Sequence, residues 1–324
     1  MKKNVLRLAL GGLILVIIGV IGMSSNKFNF GDDLTEYHQK WNLDTGTLSH
    51  LVINSEYDTD IEFVHSTDGT QSVEIQGALE DNTIKQLEQI RLENGKLEIN
   101  MVDDSIHFIS VSFTSHKVHL TVSLPKENPL TDVNVDFNSS NGTISNLTAQ
   151  NVELATSSGN MTVQTIIADQ LKVDLHSGNG KISNLTVKNA DLTASSGNMT
   201  LQSIIAKQLK IDLHSGNLTG TDIQSDTTAS VGSGNTKFIN YSGIGNFSAE
   251  SGNIKLVQKG LSSLELSSKS GNVTVTPDPN FKGSFDLITK SGSVHSPESL
   301  RESKDLIKVR TNSGNIKVTA NKSE

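Results

Sequence analysis

The chain has 324 residues, and 27 Lys plus Arg against 35 Asp plus Glu give a formal charge of −8. Three of the bases (Lys2, Lys3, Arg7) precede an apolar run, so the remainder carries −8 − 3 = −11, which disfavours nucleic acid and anionic surfaces as partners. The chain contains no cysteine, which excludes disulfides, thiolate metal sites, Cys nucleophiles and a lipidated N-terminal Cys, and its 4% aromatic and 35% apolar content points to a regular, narrow core.

Leu8 to Met23 is an unbroken stretch of Leu, Ile, Val, Ala, Gly and Met behind a basic flank. At about 1.5 Å per residue it spans roughly 24 Å, enough for a transmembrane helix if Val5, Leu6 and a snorkelling Arg7 contribute. Val20-Ile21-Gly22 is a poor A-x-A-like cleavage site, so a retained signal anchor is preferred to a cleaved signal peptide. Residues 1–25 thus read as a cytoplasmic basic flank and transmembrane signal anchor, and residues 26–50, with Lys27, Phe28, Asp32, Asp33 and Trp41, as a juxtamembrane connector. The expected location is the cell membrane, single-pass, with the C-terminal domain extracytoplasmic.

Residues 51–129 read as a β-rich cap. Val52, Ile61, Phe63, Val73, Ile75, Leu97, Ile99, Val118, Leu120 and Val122 fall in period-two patterns. Asp81 to Arg91 is the exception: its apolar residues recur at helical spacing, an Asp or Asn stands ready to cap it, and Asn94-Gly95 follows as a stop, so it predicts one short surface helix.

Residues 130–324 repeat. A glycine beside Ser and Asn recurs at 142, 159, 178, 197, 216, 234, 252, 271, 292 and 314, at intervals of 17, 19, 19, 19, 18, 18, 19, 21 and 22. Ile144–Asn179 recurs as Ile182–Asn217, a 38-residue shift of two repeats. A period near 19 signals a solenoid. Five residues before each glycine stands an apolar residue (Phe137, Leu154, Val173, Leu192, Ile211, Ala229, Phe247, Leu266, Leu287, Val309). Apolar residues also dominate two and four positions after it, with exceptions such as Asn146, Gly220 and Ser296. Each turn therefore holds short strands hinged at the glycine. The fold expected is all-β, a single-stranded parallel β-helix of about 19 residues per turn, right-handed by the general crossover bias.

Stacking like on like aligns Glu153, Lys172, Asp191 and Lys210 in a ladder of alternating charge, and the Asn after each glycine in an amide ladder. The distal end looks irregular, with Pro277, Pro279 and the polar insertion from Ser296 to Asp305. The final rung ends on Lys317 and Lys322, charges that would discourage further pairing.

No nucleophile-elbow, zincin or phosphate-loop motif occurs. His116 and His119 point to opposite faces of a predicted strand. Asp174 with His176 recurs as Asp212 with His214, yet two rungs, roughly 10 Å, separate the pairs, and Thr193 and Ser195 stand between. Glu56, Asp58, Asp60 and Glu62 share one side of an early strand and read as charge defending an exposed edge. The sequons at Asn146, Asn184 and Asn198 bear on function only in a glycosylating cell. No catalytic, cofactor-binding or metal-ligating residue is nominated.

The serial rung of apolar strand, Ser-Gly-Asn and second strand, following Val118-His119-Leu120-Thr121-Val122-Ser123-Leu124-Pro125, resembles the bacterial "putative adhesin" family. This is the LiaG-like group of single-span envelope proteins often encoded near cell-envelope stress-response systems. The resemblance covers about residues 42–320, departing from it in the Asn after the glycine and in the near-identical duplication. It implies an extracytoplasmic β-solenoid with no catalytic residues to transfer. The expected function is a membrane-anchored, non-enzymatic adhesin or binding and accessory module in envelope stress response. Its expected partners are a cell-envelope component or membrane protein, and the cytoplasmic membrane through residues 8–23. A polysaccharide-active β-helix enzyme (lyase or hydrolase) and a passive structural spacer are the alternatives.

Overall fold

A computed structural model describes residues 34–43, 48–102, 117–126 and 129–319; the predicted anchor at 8–23, His116 and Lys322 lie outside the described residues. No helix among the described residues is long and apolar enough to cross a membrane.

The described chain forms one coiled sheet of 21 strands with one short helix. At its centre each strand is almost a full turn: β8 (Gly142–Thr156), β9 (Met161–Ser177), β10 (Gly180–Ser196), β11 (Met199–Ser215) and β12 (Leu218–Ser233). All pair in parallel, β9 with β10 from Gly180↔Met161 to Ser196↔Ser177, an offset of 19 residues. A strand this long can bend because a left-handed residue interrupts it. Asn146, Thr165, Asn184, Ser203, Asp222 and Asn240 all have φ between 55° and 62°, one per rung. The drop from 19 to 18 residues per turn is a register shift between Ile205 and Gln208, opposite Gln224 and Asp226.

The glycines form a file along one corner. A Cβ on Gly197 would lie 1.7 Å from the carbonyl oxygen of Gly178, and one on Gly178 equally close to that of Gly159. The series starts differently from the sequence reading. Gly142 stands opposite Met161, and the corner below Gly159 is occupied by Ser140, so the odd interval of 17 becomes a regular 19. In the same way Leu154 stacks on Val135 rather than Phe137, whose ring fills the space a Gly142 side chain would need.

The core is a column of single residues per file: Val135, Leu154, Val173, Leu192, Ile211, Ala229, Phe247, Leu266 and Val309 are all buried. Where it holds large rings it gives up side chains nearby. Phe238, Tyr241 and Phe247 cluster with centroids 4.9–5.9 Å apart, and the space is vacated by Gly220 and Gly245. The apolar exception at Gly220 is thus volume compensation.

Both ends depart from chain order. β2 (His50–Ser55) lies between β5 (Lys96–Met101) and β7 (Leu130–Asp136), and β3 (Asp58–His65) between β6 (Lys117–Leu124) and β8, all parallel. The sheet therefore continues through the expected boundary at 129/130 without a break. β4 (Gln71–Glu80) and then β1 (Leu34–Leu43) close one side in antiparallel fashion, so part of the expected connector is a strand, with Tyr37, Trp41 and Leu43 against the core. The helix α1 (Asp81–Leu87) is shorter than the sequence reading and buries Thr83 and Leu87. Its N-cap is Glu80, with no side-chain cap bond, and Asn94-Gly95, both at positive φ, turn the chain between the bridged residues Glu93 and Lys96 instead of stopping the helix.

Past β12 each turn divides into two strands. One series, β14 (Gly245–Ser251) and β16 (Leu264–Ser270), continues the side that leads into the glycine corner; the other, β13 (Thr236–Ser242), β15 (Ile254–Gln258) and β17 (Val273–Thr276), continues the side that leaves it. Next in space come β20 (Leu306–Ser313) and β21 (Ile316–Val318), and outermost β18 (Ser284–Ser291) and β19 (Val294–His295). Lys317 thus sits opposite Thr274 and His295 inside the stack, and the expectation that it terminates pairing is overturned.

Candidate functional site

One corner is concave along seven successive turns. Its floor is Val152, Leu171, Ala190 and Leu209, all buried. One bank is a file of amides, Asn151, Gln170, Asn189 and Gln208; the other is the charge file Glu153, Lys172, Asp191 and Lys210. Together they line a groove of about 780 Å³ that reaches from Asp132 at one end to Asn246 at the other. Seven rungs at roughly 4.8 Å make it nearly 30 Å long.

The charge file behaves as the sequence predicts. Lys172 pairs with Glu153 and Lys210 with Asp191, the latter at 3.1 Å, and the Glu153 carboxylate holds the Lys172 ammonium above the usual lysine range. These pairs are about half exposed, so solvent screening leaves each of them little weight in stability. Their larger effect is to leave the bank without net sign. The amide file differs. Asn151 donates to Asp132 at 2.8 Å, and Asp132 also holds His50 at 2.7 Å. Gln170, Asn189 and Gln208 make no side-chain hydrogen bond among the described residues. Sequence reasoning missed this bank. Its signal was available: the position eight before the corner glycine is Asn151, Gln170, Asn189 and Gln208, an amide each time.

The residues singled out from sequence have other uses. Asp174 accepts a hydrogen bond from Thr193 at 2.9 Å, and Asp174 and Asp212 stay on separate rungs with β10 between them. No group of three His, Asp or Glu among the described residues is arranged to hold a metal ion. Of the acidic set, Asp58, Asp60 and Glu62 lie on β3, which is paired on both sides, so they do not defend an edge, and Glu56 precedes the strand. Asp60 binds Lys117 at 2.6 Å, with His119 at 3.7 Å. Asp58 terminates the amide ladder of the neighbouring corner, accepting from the Asn141 backbone N–H at 2.9 Å and from its Nδ2. From there Asn160, Asn179, Asn198 and Asn217 each donate both N–H groups to the Oδ1 of the Asn before.

Residues 48–230 and, in a second overlapping match, 168–322 fit the Toastrack DUF4097 family. The chain belongs to the Toastrack DUF4097 family. No curated protein matches the chain. Among solved structures it is similar to a "putative adhesin" from Bacteroides fragilis NCTC 9343, at 13% identity and TM-score 0.44, covering 90% of this chain and 100% of that one. It is also similar to a "putative lipid binding protein" from Parabacteroides distasonis ATCC 8503, at 14% identity and TM-score 0.47, covering 87% and 96%. A further "putative adhesin" from the latter organism has 14% identity, TM-score 0.30 and coverage of 89% and 99%.

Proposed function

We propose that this protein is a non-enzymatic binding module of the cell envelope, anchored through residues 8–23 and displaying the solenoid outside the cytoplasmic membrane. Its ligand lies in the corner groove. The observation that carries this reading is the straight, rung-periodic bank of Gln170, Asn189 and Gln208, whose amides have both donors and acceptors to spare. An extended polymer with one polar unit per rung matches that bank, and the floor of Val152, Leu171, Ala190 and Leu209 suits the apolar faces of pyranose rings. Because the charges opposite alternate, the groove favours a neutral linear glycan over a polyanion. The envelope-stress context follows from the resemblance to the LiaG-like group.

Binding of the purified full chain to soluble linear glycans of cell-wall type tests this directly. A Gln170→Ala/Gln208→Ala variant is expected to lose roughly tenfold or more in affinity, about 1.4 kcal/mol, with unchanged β-sheet signal. Absence of glycan binding, or binding untouched by the double substitution, refutes the groove as the site. Release of new reducing ends would instead make the protein an enzyme. Retention of the protein in membranes after an alkaline wash checks the anchor, and loss of a stress-reporter response on gene deletion checks the accessory role.

A further inference from the structure

At the distal end β18 is bonded, among the described residues, to β20 on its inner side only. Backbone alternation reveals which groups face the open side. Ser284 N–H donates inward to Asp305 C=O at 2.9 Å, whereas Phe285 N–H donates outward to Ser299 Oγ at 2.9 Å and Gly283 C=O accepts outward from Arg301 N–H. Odd-numbered residues therefore face the edge. The 296–305 insertion covers that edge as far as Phe285; Leu287 and Thr289 lie beyond it, with no neighbouring strand on that side among the described residues. The same end exposes apolar side chains. Ile288 is 52%, Val294 44% and Leu300 59% exposed, and Leu287 is only half-buried where the rest of its file is sealed.

The strand is also self-complementary in charge. Asp286 and Lys290 stand two residues either side of Ile288, and Lys290 has no ion pair among the described residues. Asp286 is held by Arg310 in its own chain, which keeps its carboxyl ionised and below the usual range. We propose that this edge is the docking surface for a second copy of the chain, through antiparallel pairing of the two β18 strands about a two-fold axis at Ile288. In that register Leu287 and Thr289 of each copy form hydrogen-bonded pairs with Thr289 and Leu287 of the second copy. Asp286 faces Lys290 twice, and the two Ile288 side chains meet at a non-hydrogen-bonded site. A two-fold contact of this kind closes on itself, whereas docking β18 onto the proximal end of another copy would build an open filament.

The absence of native cysteine makes the test clean. At a non-hydrogen-bonded antiparallel site Cα atoms lie about 4.5 Å apart, within the range a disulfide spans. Full-length Ile288→Cys protein in mild detergent, treated with a gentle oxidant, is expected to form a covalent dimer at least about tenfold faster than Ile167→Cys, which is equally exposed on the lateral face. In sedimentation, Ile288→Lys and Lys290→Glu are each expected to weaken the unmodified dimer about tenfold or more while circular dichroism stays constant. A monomer at all concentrations, equal cross-linking at the two positions, a dimer indifferent to Ile288→Lys, or higher polymers would each overturn the proposal.

Discussion

Replacing Gly197 by Ala tests the stacked corner most sharply. Its φ is +121°, a conformation that costs an L-residue about 1–3 kcal/mol. The added Cβ would lie 1.7 Å from the carbonyl oxygen of Gly178, a backbone atom of a residue whose N–H is bonded to Ser196 C=O in the next turn. Forcing the two rungs apart adds about 1–3 kcal/mol of overpacking. The sum, about 2–6 kcal/mol, is a large share of the 5–15 kcal/mol typical of a folded domain. Gly69→Ala is the control, since Gly69 also has positive φ, +78°, but open space around it. It should cost only the backbone strain, about 1–2 kcal/mol. Urea unfolding of both variants, with hydrogen exchange at the rungs beside Gly197, measures the difference. If Gly197→Ala unfolds no earlier than Gly69→Ala, the glycines are not packed carbonyl against Cα along one corner, and the stacking argument fails.

Other outcomes follow from the same geometry. Asp58→Ala removes the charged acceptor that ends the Asn ladder and is expected to cost about 1–3 kcal/mol, with faster exchange of the Asn141 amide; an unchanged amide would mean the carboxylate is ornamental there. Burial beside Phe238 and Phe247 pushes the Tyr241 hydroxyl pKa up, so the stability it confers is whole below about pH 10 and is lost as pH rises towards the folded value. Alkaline titration should therefore show one tyrosine ionising only as the sheet opens, and Tyr241→Phe should remove that delayed phase. Deleting Gly180–Asn217 joins Asn179 to Leu218 in register, so the product should fold and be shorter by about 10 Å in small-angle scattering; an unfolded product would mean the duplicated turns are not equivalent.

The periodic middle of the molecule could be read because parallel stacking turns three-dimensional neighbours into residues 18 or 19 apart. Glu153 and Lys172, or Asn160 and Asn179, reveal their contact in the sequence for that reason. The left-handed file was harder, since Asn146, Thr165, Ser203 and Asp222 share a backbone conformation but not a side chain. The start was misjudged by two residues because a glycine happened to stand at Gly142 while the true corner holds Ser140. The ends were beyond reach. Whether β20 lies inside or outside β18 depends on which of two similar apolar strands the open core prefers, and Leu287 and Val309 look alike in sequence. The amide bank was visible as a pattern, but only the missing hydrogen bonds of Gln170, Asn189 and Gln208 distinguish it from an ordinary polar face.

The interleaved order at the tips changes how the coil comes apart. In a simple spiral the first and last residues own the outermost turns, so a tug or an exopeptidase unwinds it one loop at a time. Here β20 and β21 are gripped on both flanks, by β16 and β17 below and by β18 and β19 above. Pulling the C-terminal segment must shear two ladders at once; at the other tip β1 is held by β4 alone, and only behind it are β2 and β3 gripped on both flanks. A coil built this way resists peeling from its C-terminal tip, and the weakest point there under load shifts to the outer turn of β18 and β19, which is tethered at both of its own ends.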